Sequence, residues 1–401
     1  FKISGWKKNT FDIIPLFETI SDLDIAVEIM DKIYSNDAYR EHLSYRNNEQ
    51  TIMLGFSDGT KDGGYLTANW KILTAKEKLT RISRKHKVKV KFFDGRGGPP
   101  ARGGGNTHQF YSSLGNIIES DDIQVTIQGQ TISSNFGTLD SCKYNLEQLI
   151  SSAVKNKINN QNDAFSKENR KVIEQLSIIS HKAYQEFKNH PSFLGYLENM
   201  TTIRYYAKTN IGSRPSKRSG DDSKFDFDSL RAIPFVGSWA QLKQNVPGFY
   251  GLGSALMYFQ EKNNFSQVKK LYREVPFFRA LISNSMMSLN KSFFQLTAYM
   301  SKNENYGEFW NLIYKEYLLT KKLVLKLTGY TELMQNEPAN KASVDVREKI
   351  ILPLVTIQQY ALQHINFLKR SHPSESNQID VYEKIVTRSL FGNINASRNS
   401  A

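Results

Sequence analysis

Short apolar runs alternate with helical patterns in the first third of the chain. Four of these runs are typical of buried strands: 12–17, 51–56, 88–93 and 123–127. Between them, apolar residues recur at helical spacing; one helix is predicted to be capped at Ser21-Asp22, and another runs from Leu66 to about His86. Strands that alternate with helices predict parallel βα units, whose ligands bind at the carboxyl ends of the strands.

After about residue 140 the pattern becomes purely helical. Amphipathic helices are predicted over 146–154 and 172–184, and longer helical patterns cover 255–300, 306–328, 345–369 and 379–391. The segment 211–227 is rich in Gly, Ser, Arg, Lys and Asp, which is typical of an exposed loop.

These patterns predict a partial α/β barrel followed by a large, mostly α-helical region, so that the chain is predominantly helical overall. We expect about four βα strands over 1–138 and the helical region over 139–401, with a mobile basic loop near 209–228. Four strands are half of what a closed eight-stranded barrel needs, and an open half-barrel exposes a sheet edge and an apolar face. Because the chain also begins at Phe1 without an initiator Met, we expect the partner strands to lie in sequence that precedes it.

The composition excludes several classes of protein. The 401 residues are 39% hydrophobic and 12% aromatic, enough for a large core. No run of about eighteen apolar residues predicts a membrane-spanning helix. The single cysteine, Cys142, excludes an internal disulfide framework and a cysteine-based zinc site, and it favours a cytoplasmic location. The net charge of +14 is compatible with a nucleic-acid partner, with an anionic substrate, or simply with solvated lysines.

A glycine-rich segment, residues 95–105, directly follows the third predicted strand. It contains six glycines and two prolines together with Arg96 and Arg102. Glycine lets the main chain approach a ligand closely, and arginine matches phosphate or carboxylate oxygens with two parallel hydrogen bonds. This segment therefore predicts an anion-binding loop with Arg102 outside the core; the alternatives are a flexible surface loop or an arginine-glycine segment that contacts RNA.

Acidic and basic side chains also follow the other strands. Glu18 ends the first strand, Asp58 ends the second, and Lys61 comes three residues later. Two carboxylates can hold a hard divalent cation, and a lysine can offset developing negative charge. Each acid alone is more often a helix cap or a solvated side chain, but their joint placement at successive strand ends favours a site. Arg214 lies in the basic loop and Arg231 follows it; both could close over an anion, or they could belong to a solvated linker.

Seven motifs in family order resemble the carboxyl-terminal portion of phosphoenolpyruvate carboxylase. They are Pro15-Leu16-Phe17-Glu18-Thr19, Phe56-Ser57-Asp58 through Lys61-Asp62, Gly95-Arg96-Gly97-Gly98 with Arg102-Gly103-Gly104, Gly212-Ser213-Arg214-Pro215, Ser229-Leu230-Arg231-Ala232-Ile233-Pro234, Val275-Pro276-Phe277-Phe278 and Arg398-Asn399-Ser400-Ala401. The resemblance covers nearly the whole chain. It implies a large, mostly helical enzyme built around an eight-stranded barrel and usually assembled as a homotetramer.

The resemblance also implies an anaplerotic reaction, the β-carboxylation of phosphoenolpyruvate by bicarbonate with Mg²⁺ or Mn²⁺. Bicarbonate attacks the phosphorus to give carboxyphosphate and an enolate, and the enolate captures the released CO₂ to form oxaloacetate. By motif position, the metal ligands would be Glu18 and Asp58, and Lys61 would stabilise charge. Arg96 and Arg231 would bind the phosphate with Arg214 nearby, and Arg102 would hold bicarbonate or carboxyphosphate.

Feedback inhibition by aspartate or malate is implied as well, in a bundle of helices near the carboxyl terminus. The matching effector-binding positions are Lys291, Arg347 and Asn399, with Arg102 shared between the effector site and catalysis. Binding of Arg102 at a distant pocket would withdraw it from the reaction.

Several positions depart from the family pattern, among them Asp94, Gln130, Phe235, Val275 and Ala401, and part of the family's site has no counterpart in these 401 residues. Asp94 stands where the family commonly has His. The family's essential amino-terminal His and a further phosphate-binding Arg match none of these residues, so we expect the isolated chain to be inactive. Two alternatives to an active carboxylase remain: a catalytically inert regulatory fragment, and a nucleic-acid-binding module that uses the basic stretch 76–91.

Overall fold

The protein is described from a computed structural model that covers most of the chain. The described residues are 11–115, 117–119, 122–127, 130–158, 165–206, 208, 225–372 and 376–397. Arg214, Asn399 and most of the predicted basic loop lie outside them, so their predicted roles stay predictions.

A four-stranded parallel sheet occupies the first part of the chain. Its strands are β1 (Leu16–Phe17), β2 (Glu49–Gly55), β3 (Lys89–Gly95) and β4 (Ile123–Val125). The spatial order is β1-β2-β3-β4, and each neighbouring pair is parallel. Because all strands run in the same direction, their carboxyl ends lie along one edge of the sheet.

Helices cover one face of this sheet, whereas the other face is partly exposed. Side chains alternate along the strands, and the buried set comprises Ile52, Leu54, Val90 and Phe92. Four parallel strands and a predominantly helical chain confirm the coarse fold prediction. Closure of the sheet into a barrel, and the division at residues 138 and 139, stay predictions.

The first strand is much shorter than the predicted 12–17. Only Leu16 and Phe17 pair with β2, and the carbonyl of Pro15 accepts one further bond from the Met53 N–H (2.9 Å). Proline has no N–H to donate, and no strand pairs with the other edge of β1 within the described residues.

The helices that follow these strands pack against the sheet and the core. They are α1 (Ile20–Ser35), α2 (Asp37–Ser44), α3 (Phe56–Gly63), α4 (Tyr65–Lys85), α5 (Thr107–Ser112), α6 (Gln130–Phe136) and α7 (Leu139–Ile158). The predicted cap of α1 at Ser21-Asp22 is wrong. Thr19 is the cap: its hydroxyl accepts from the Asp22 N–H (3.1 Å), and Asp22 accepts from the Thr19 N–H (3.0 Å).

Helix α3 forms where the sequence pattern predicted no helix. It contains two glycines and follows Gly55 without a side-chain cap, so its local propensity is weak. Packing explains it, because a Cβ on Gly63 would come within 2.5 Å of the Ile20 side chain. The glycine lets α3 lie directly against the start of α1, next to Glu18.

The remainder of the described chain is helical, as predicted. Its helices are α8 (Lys167–Lys188), α9 (Phe193–Met200), α10 (Ile203–Tyr206), α11 (Ala232–Gln241), α12 (Leu252–Glu261), α13 (Phe265–Glu274), α14 (Pro276–Asn290), α15 (Gly307–Thr328), α16 (Pro338–Ser371) and α17 (Ser376–Ser397), with 3₁₀ turns at Pro100–Arg102, Val246–Gly248 and Phe294–Lys302.

Two hydrophobic clusters hold these elements together. The larger cluster joins the sheet to α8 and to helices α11 through α15, and a smaller one packs Tyr205 and Tyr206 of α10 between α16 and α17. Within the described residues, no helix is both long and apolar enough to cross a bilayer.

Candidate active site and effector pocket

Glu18 and Asp58 come together at the carboxyl edge of the sheet. Glu18 directly follows β1, and Asp58 lies in the first turn of α3, directly after β2. A Cβ on Gly55 would lie 3.1 Å from the Glu18 Cγ, and one on Gly59 would lie 3.4 Å from the Glu18 carbonyl. These two glycines let Glu18 pack against the segment that carries Asp58.

Glu18 and Asp58 offer the oxygen donors that a hard divalent cation prefers. Both are only partly buried, and Mg²⁺ commonly uses one or two protein carboxylates and completes its shell with water and substrate oxygens. The described residues contain no group of three or more His, Cys, Asp and Glu side chains placed to hold a metal. A site of this kind would therefore depend on Glu18 and Asp58 together with non-protein oxygens.

Asp62 and Lys188 fix the turn that carries Glu18. The Asp62 carboxylate accepts from the Ile20 N–H (2.9 Å) at the start of α1. Lys188, on α8, donates to the Asp62 carbonyl (2.6 Å) and carboxylate (3.2 Å). This clamp, consisting of Asp62 and Lys188, ties the start of α1 to the end of α3 and thereby sets the position of Glu18 relative to Asp58.

Lys61 binds main-chain carbonyls of a distant segment. Its ammonium group donates to the carbonyls of Phe227 (2.7 Å) and Leu230 (2.5 Å) and lies 4.4 Å from the Phe227 ring centroid. The segment it holds leads directly into Arg231. Lys61 is thus placed at the predicted edge, where it anchors the approach of Arg231.

The glycine-rich segment folds back on itself around Arg96. The Arg96 guanidinium donates to the carbonyls of Gly103 and Gly104 and lies 4.3 Å from the Phe110 ring centroid. A Cβ on Gly104 would come within 1.8 Å of the Gly98 carbonyl oxygen, so the close approach of the two arms requires glycine there. Arg96 organises this loop from the inside.

Arg102 is buried beneath the same loop, with only 2% of its surface exposed. The expectation that it lies outside the core is therefore wrong. Its Nε lies 3.4 Å from the Ser57 hydroxyl, a long hydrogen bond. Burial lowers the pKa of the guanidinium to about 10, while the nearby Tyr206 and Asp58 act in the opposite direction. Arg102 thus lies beside Asp58, at the edge that carries the candidate metal ligands.

Asp94 forms a buried ion pair. Its carboxylate lies 2.7 Å from the Lys76 ammonium and accepts a hydrogen bond from the Tyr111 hydroxyl (2.8 Å). Burial lowers the pKa of Lys76, and Asp94 opposes this effect. At the position where the resembling family commonly has His, this chain therefore has a carboxylate matched to a buried lysine.

Arg231 caps the start of α11 and is half-buried. Its Nε is buried and has no hydrogen-bond partner among the described residues. The Lys61 contacts bring it to the same part of the molecule as α3, because α3 and α11 pack against each other.

Lys291 and Arg347 line one cavity, which we call the effector pocket. This pocket is bounded by Pro99, Pro100 and Ala101 of the glycine-rich loop and by residues of α11, α16 and α17. The Lys291 ammonium is buried and has no hydrogen-bond partner in the described part of the chain. Burial lowers its pKa to about 7, and the neighbouring Lys243 and Arg347 add to this effect.

Comparison with known families decides the identity of the chain. A family profile described as phosphoenolpyruvate carboxylase matches residues 2–397. The chain belongs to the phosphoenolpyruvate carboxylase family. Membership in this family supports carboxylase activity, a carbon–carbon lyase chemistry that fixes CO₂ from bicarbonate onto phosphoenolpyruvate. The family is known to use a divalent metal.

The basic stretch 76–91 has contacts that disfavour the nucleic-acid alternative. Lys76 is buried against Asp94, and Lys91 lies 2.9 Å from both Glu49 and Asp122. Phosphate contacts require exposed and available cations, and these two lysines do not supply them. Because the exposed residues Arg81, Arg84, Lys85, Lys87 and Lys89 remain on the surface, it is the family match that favours a carboxylase over a nucleic-acid-binding module.

Sequence reasoning missed Lys188 and the Lys76–Asp94 pair. Lys188 is one of several lysines on an amphipathic helix, and 126 residues separate it from Asp62. Lys76 was read as part of an exposed basic stretch. An apolar face on both sides of Lys76 in α4, from Trp70 to Leu79, was the available signal of its burial.

Proposed function

We propose that this chain carries the carboxyl-terminal half of a phosphoenolpyruvate carboxylase active site. The observation that carries the proposal is the gathering of Glu18, Asp58 and Arg102 at the carboxyl edge of one parallel sheet. Lys61 and Arg96 belong to the segments that form the same edge.

In the proposed reaction, a bicarbonate oxygen attacks the phosphorus of phosphoenolpyruvate. The bond between phosphorus and the enol oxygen breaks, which gives carboxyphosphate and the enolate of pyruvate. Carboxyphosphate then releases CO₂ and phosphate, and the enolate carbon attacks CO₂ to form oxaloacetate. A divalent cation at Glu18 and Asp58 would offset the negative charge that these anions share.

The basic residues would offset the rest of the negative charge on the reacting anions. We assign Arg96, Arg231 and Arg214 to the phosphate, and Arg102 to bicarbonate or carboxyphosphate. Arg102 is suited to this role because it is shielded from water, where a guanidinium interacts more strongly with an anion. Lys61 contributes by holding the segment before Arg231, through its bonds to Phe227 and Leu230.

The same loop connects catalysis to regulation. Pro99, Pro100 and Ala101, the residues just before Arg102, line the effector pocket together with Lys291 and Arg347. We propose that the carboxylates of aspartate or malate bind there, with Asn399 as a further ligand, and draw the loop away from the catalytic edge. We further propose that the enzyme is a cytoplasmic homotetramer with an anaplerotic role.

A coupled assay with malate dehydrogenase tests the activity, because oxaloacetate formation then consumes NADH. We expect no turnover from the 401-residue chain alone, and Mg²⁺-dependent turnover when a polypeptide that carries the family's amino-terminal portion is added. Arg102→Ser should lower that turnover by at least about 100-fold. Absence of bicarbonate-dependent NADH loss in that mixture would overturn the proposal, and would instead favour an inert regulatory fragment.

A further inference from the structure

A second cavity lies beside the effector pocket and shares two basic residues with it. Lys291 and Arg347 line both cavities. The second one, which we call the polar cavity, is bounded by α5, α6, α7 and the first turns of α16, and no residue of α17 lines it among the described residues. Its volume is about 280 Å³, compared with about 60 Å³ for the effector pocket.

The lining of the polar cavity is dominated by neutral hydrogen-bonding groups. Amides and hydroxyls converge on it from three helices: Ser134, Asn135, Asn145, Gln148, Asn340 and Ser343. No carboxylate lines it among the described residues, whereas Glu348 lines the effector pocket. Such a lining favours a ligand that has several hydroxyl groups and carries negative charge at one end.

Lys291 is the residue that would bind the negatively charged end of such a ligand. Its buried ammonium has no hydrogen-bond partner in the described part of the chain. The nearby acid, Glu348, already pairs with Lys243 (2.6 Å). A buried cation without a partner is costly, and an anion beside Lys291 and Arg347 would remove that cost.

We propose that the polar cavity binds a small hydroxylated monocarboxylate, with its carboxylate on Lys291 and Arg347 and its hydroxyls on the surrounding amides. An aliphatic carboxylate of similar length would make no hydrogen bonds to the amides of Asn135 and Gln148, which line the cavity. A neutral polyol would leave Lys291 unpaired. The two halves of the ligand are therefore both required for binding.

Occupation of the polar cavity would affect the glycine-rich loop differently from occupation of the effector pocket. The polar cavity contacts the loop at Gly98 and Gly105, whereas the effector pocket contacts residues 99–101 between them. Because the hydroxylated monocarboxylate and the aspartate or malate effector both need Lys291, binding of one excludes the other. This consequence rests on the proposed effector function, whereas binding to the polar cavity does not.

Isothermal titration calorimetry on the whole chain, with D-gluconate as the probe, tests the binding. We expect gluconate to bind at least tenfold more tightly than hexanoate, which lacks the hydroxyls, and than sorbitol, which lacks the carboxylate. Equal binding of hexanoate and gluconate, or no gluconate binding at about 10 mM, would overturn the proposal.

Two variants locate the site. Gln148→Leu should weaken gluconate binding at least fivefold and leave aspartate binding unchanged, whereas Asn393→Ala, in the effector pocket alone, should do the reverse. Ser343→Val replaces Gln148→Leu if circular dichroism shows that the latter is unfolded. Gluconate affinity that is unchanged in a folded Gln148→Leu or Ser343→Val variant would refute the assignment. Gluconate binding without any aspartate binding would refute only the effector proposal.

Discussion

Two buried lysines distinguish the catalytic edge from the effector region. Lys76 lies under the sheet, 2.7 Å from the Asp94 carboxylate, so its charge is matched within the fold. Lys291 lies between the two cavities, and its ammonium has no hydrogen-bond partner in the described residues. Burial lowers the pKa of both lysines, but for Lys291 the neighbouring Lys243 and Arg347 lower it further.

The difference shows how one fold uses buried charge in two ways. A matched pair fixes neighbouring elements in one arrangement, here α4 against the end of β3 next to Arg96. A cation without a counterion makes the ligand-free state less stable, so an arriving anion gains the interaction that the protein lacks. We therefore expect the first region to be rigid and the second to bind an anion.

The largest expected effect comes from breaking the matched pair. Asp94→Asn leaves Lys76 buried without a counterion, which should lower the free energy of unfolding by about 3–5 kcal/mol. Urea denaturation at pH 7 measures this change. The matched control is Glu49→Gln, which weakens a more exposed pair with Lys91 and should cost less than about 1 kcal/mol. If both variants lost the same free energy of unfolding, Lys76 would not be left as a buried charge without a counterion in Asp94→Asn.

The second-largest expected effect is a stabilisation of the folded protein, in contrast to the destabilisation by Asp94→Asn. Lys291→Met removes a cation whose pKa burial lowers to about 7 from its ordinary 10.5. Below pH 7 the lysine is charged in both states, so the folded protein bears the full cost of burying it. Between pH 7 and 10.5 only the unfolded state holds the proton, so the cost falls as the pH rises.

Lys291→Met should therefore raise the melting temperature by about 5 °C at pH 6.5 and by clearly less at pH 9. Differential scanning fluorimetry at the two pH values measures the difference. Lys322→Met, at an exposed position of α15 that lines neither cavity, serves as the control and should show no such pH dependence. A stabilisation of equal size at both pH values would contradict the charged state assigned to Lys291.

The smallest expected effect concerns the clamp that positions Glu18. Lys188→Met removes the bonds to Asp62 and should weaken Mn²⁺ binding by about three- to tenfold, because Glu18 is then held less firmly relative to Asp58. Electron paramagnetic resonance of free Mn²⁺ measures the affinity. Lys182→Met changes an exposed lysine of the same helix and should leave the affinity unchanged. An equal loss in the two variants would rule out a positioning role for Lys188.

The local patterns of the sequence were sufficient to predict the strands and most helices. The alternation of apolar runs with helical stretches predicted the parallel sheet, and placement after a strand predicted that Glu18, Asp58 and the glycine-rich loop would meet at one edge. Patterns of this kind depend on a few neighbouring residues, which is why they can be recognised without a structure. The family resemblance added that Lys291 and Arg347 would share a pocket.

The tertiary structure decided which side chains are matched and which are not. Helix α3 forms because Gly63 packs on Ile20, and Lys61 binds carbonyls about 170 residues away. The apolar face of α4 signals that Lys76 is buried, but nothing in the sequence identifies Asp94 as its partner. Desolvation and pairing depend on atoms brought together from distant parts of the chain, so the residues themselves determined the chemistry available, and only packing determined where each charge would be neutralised.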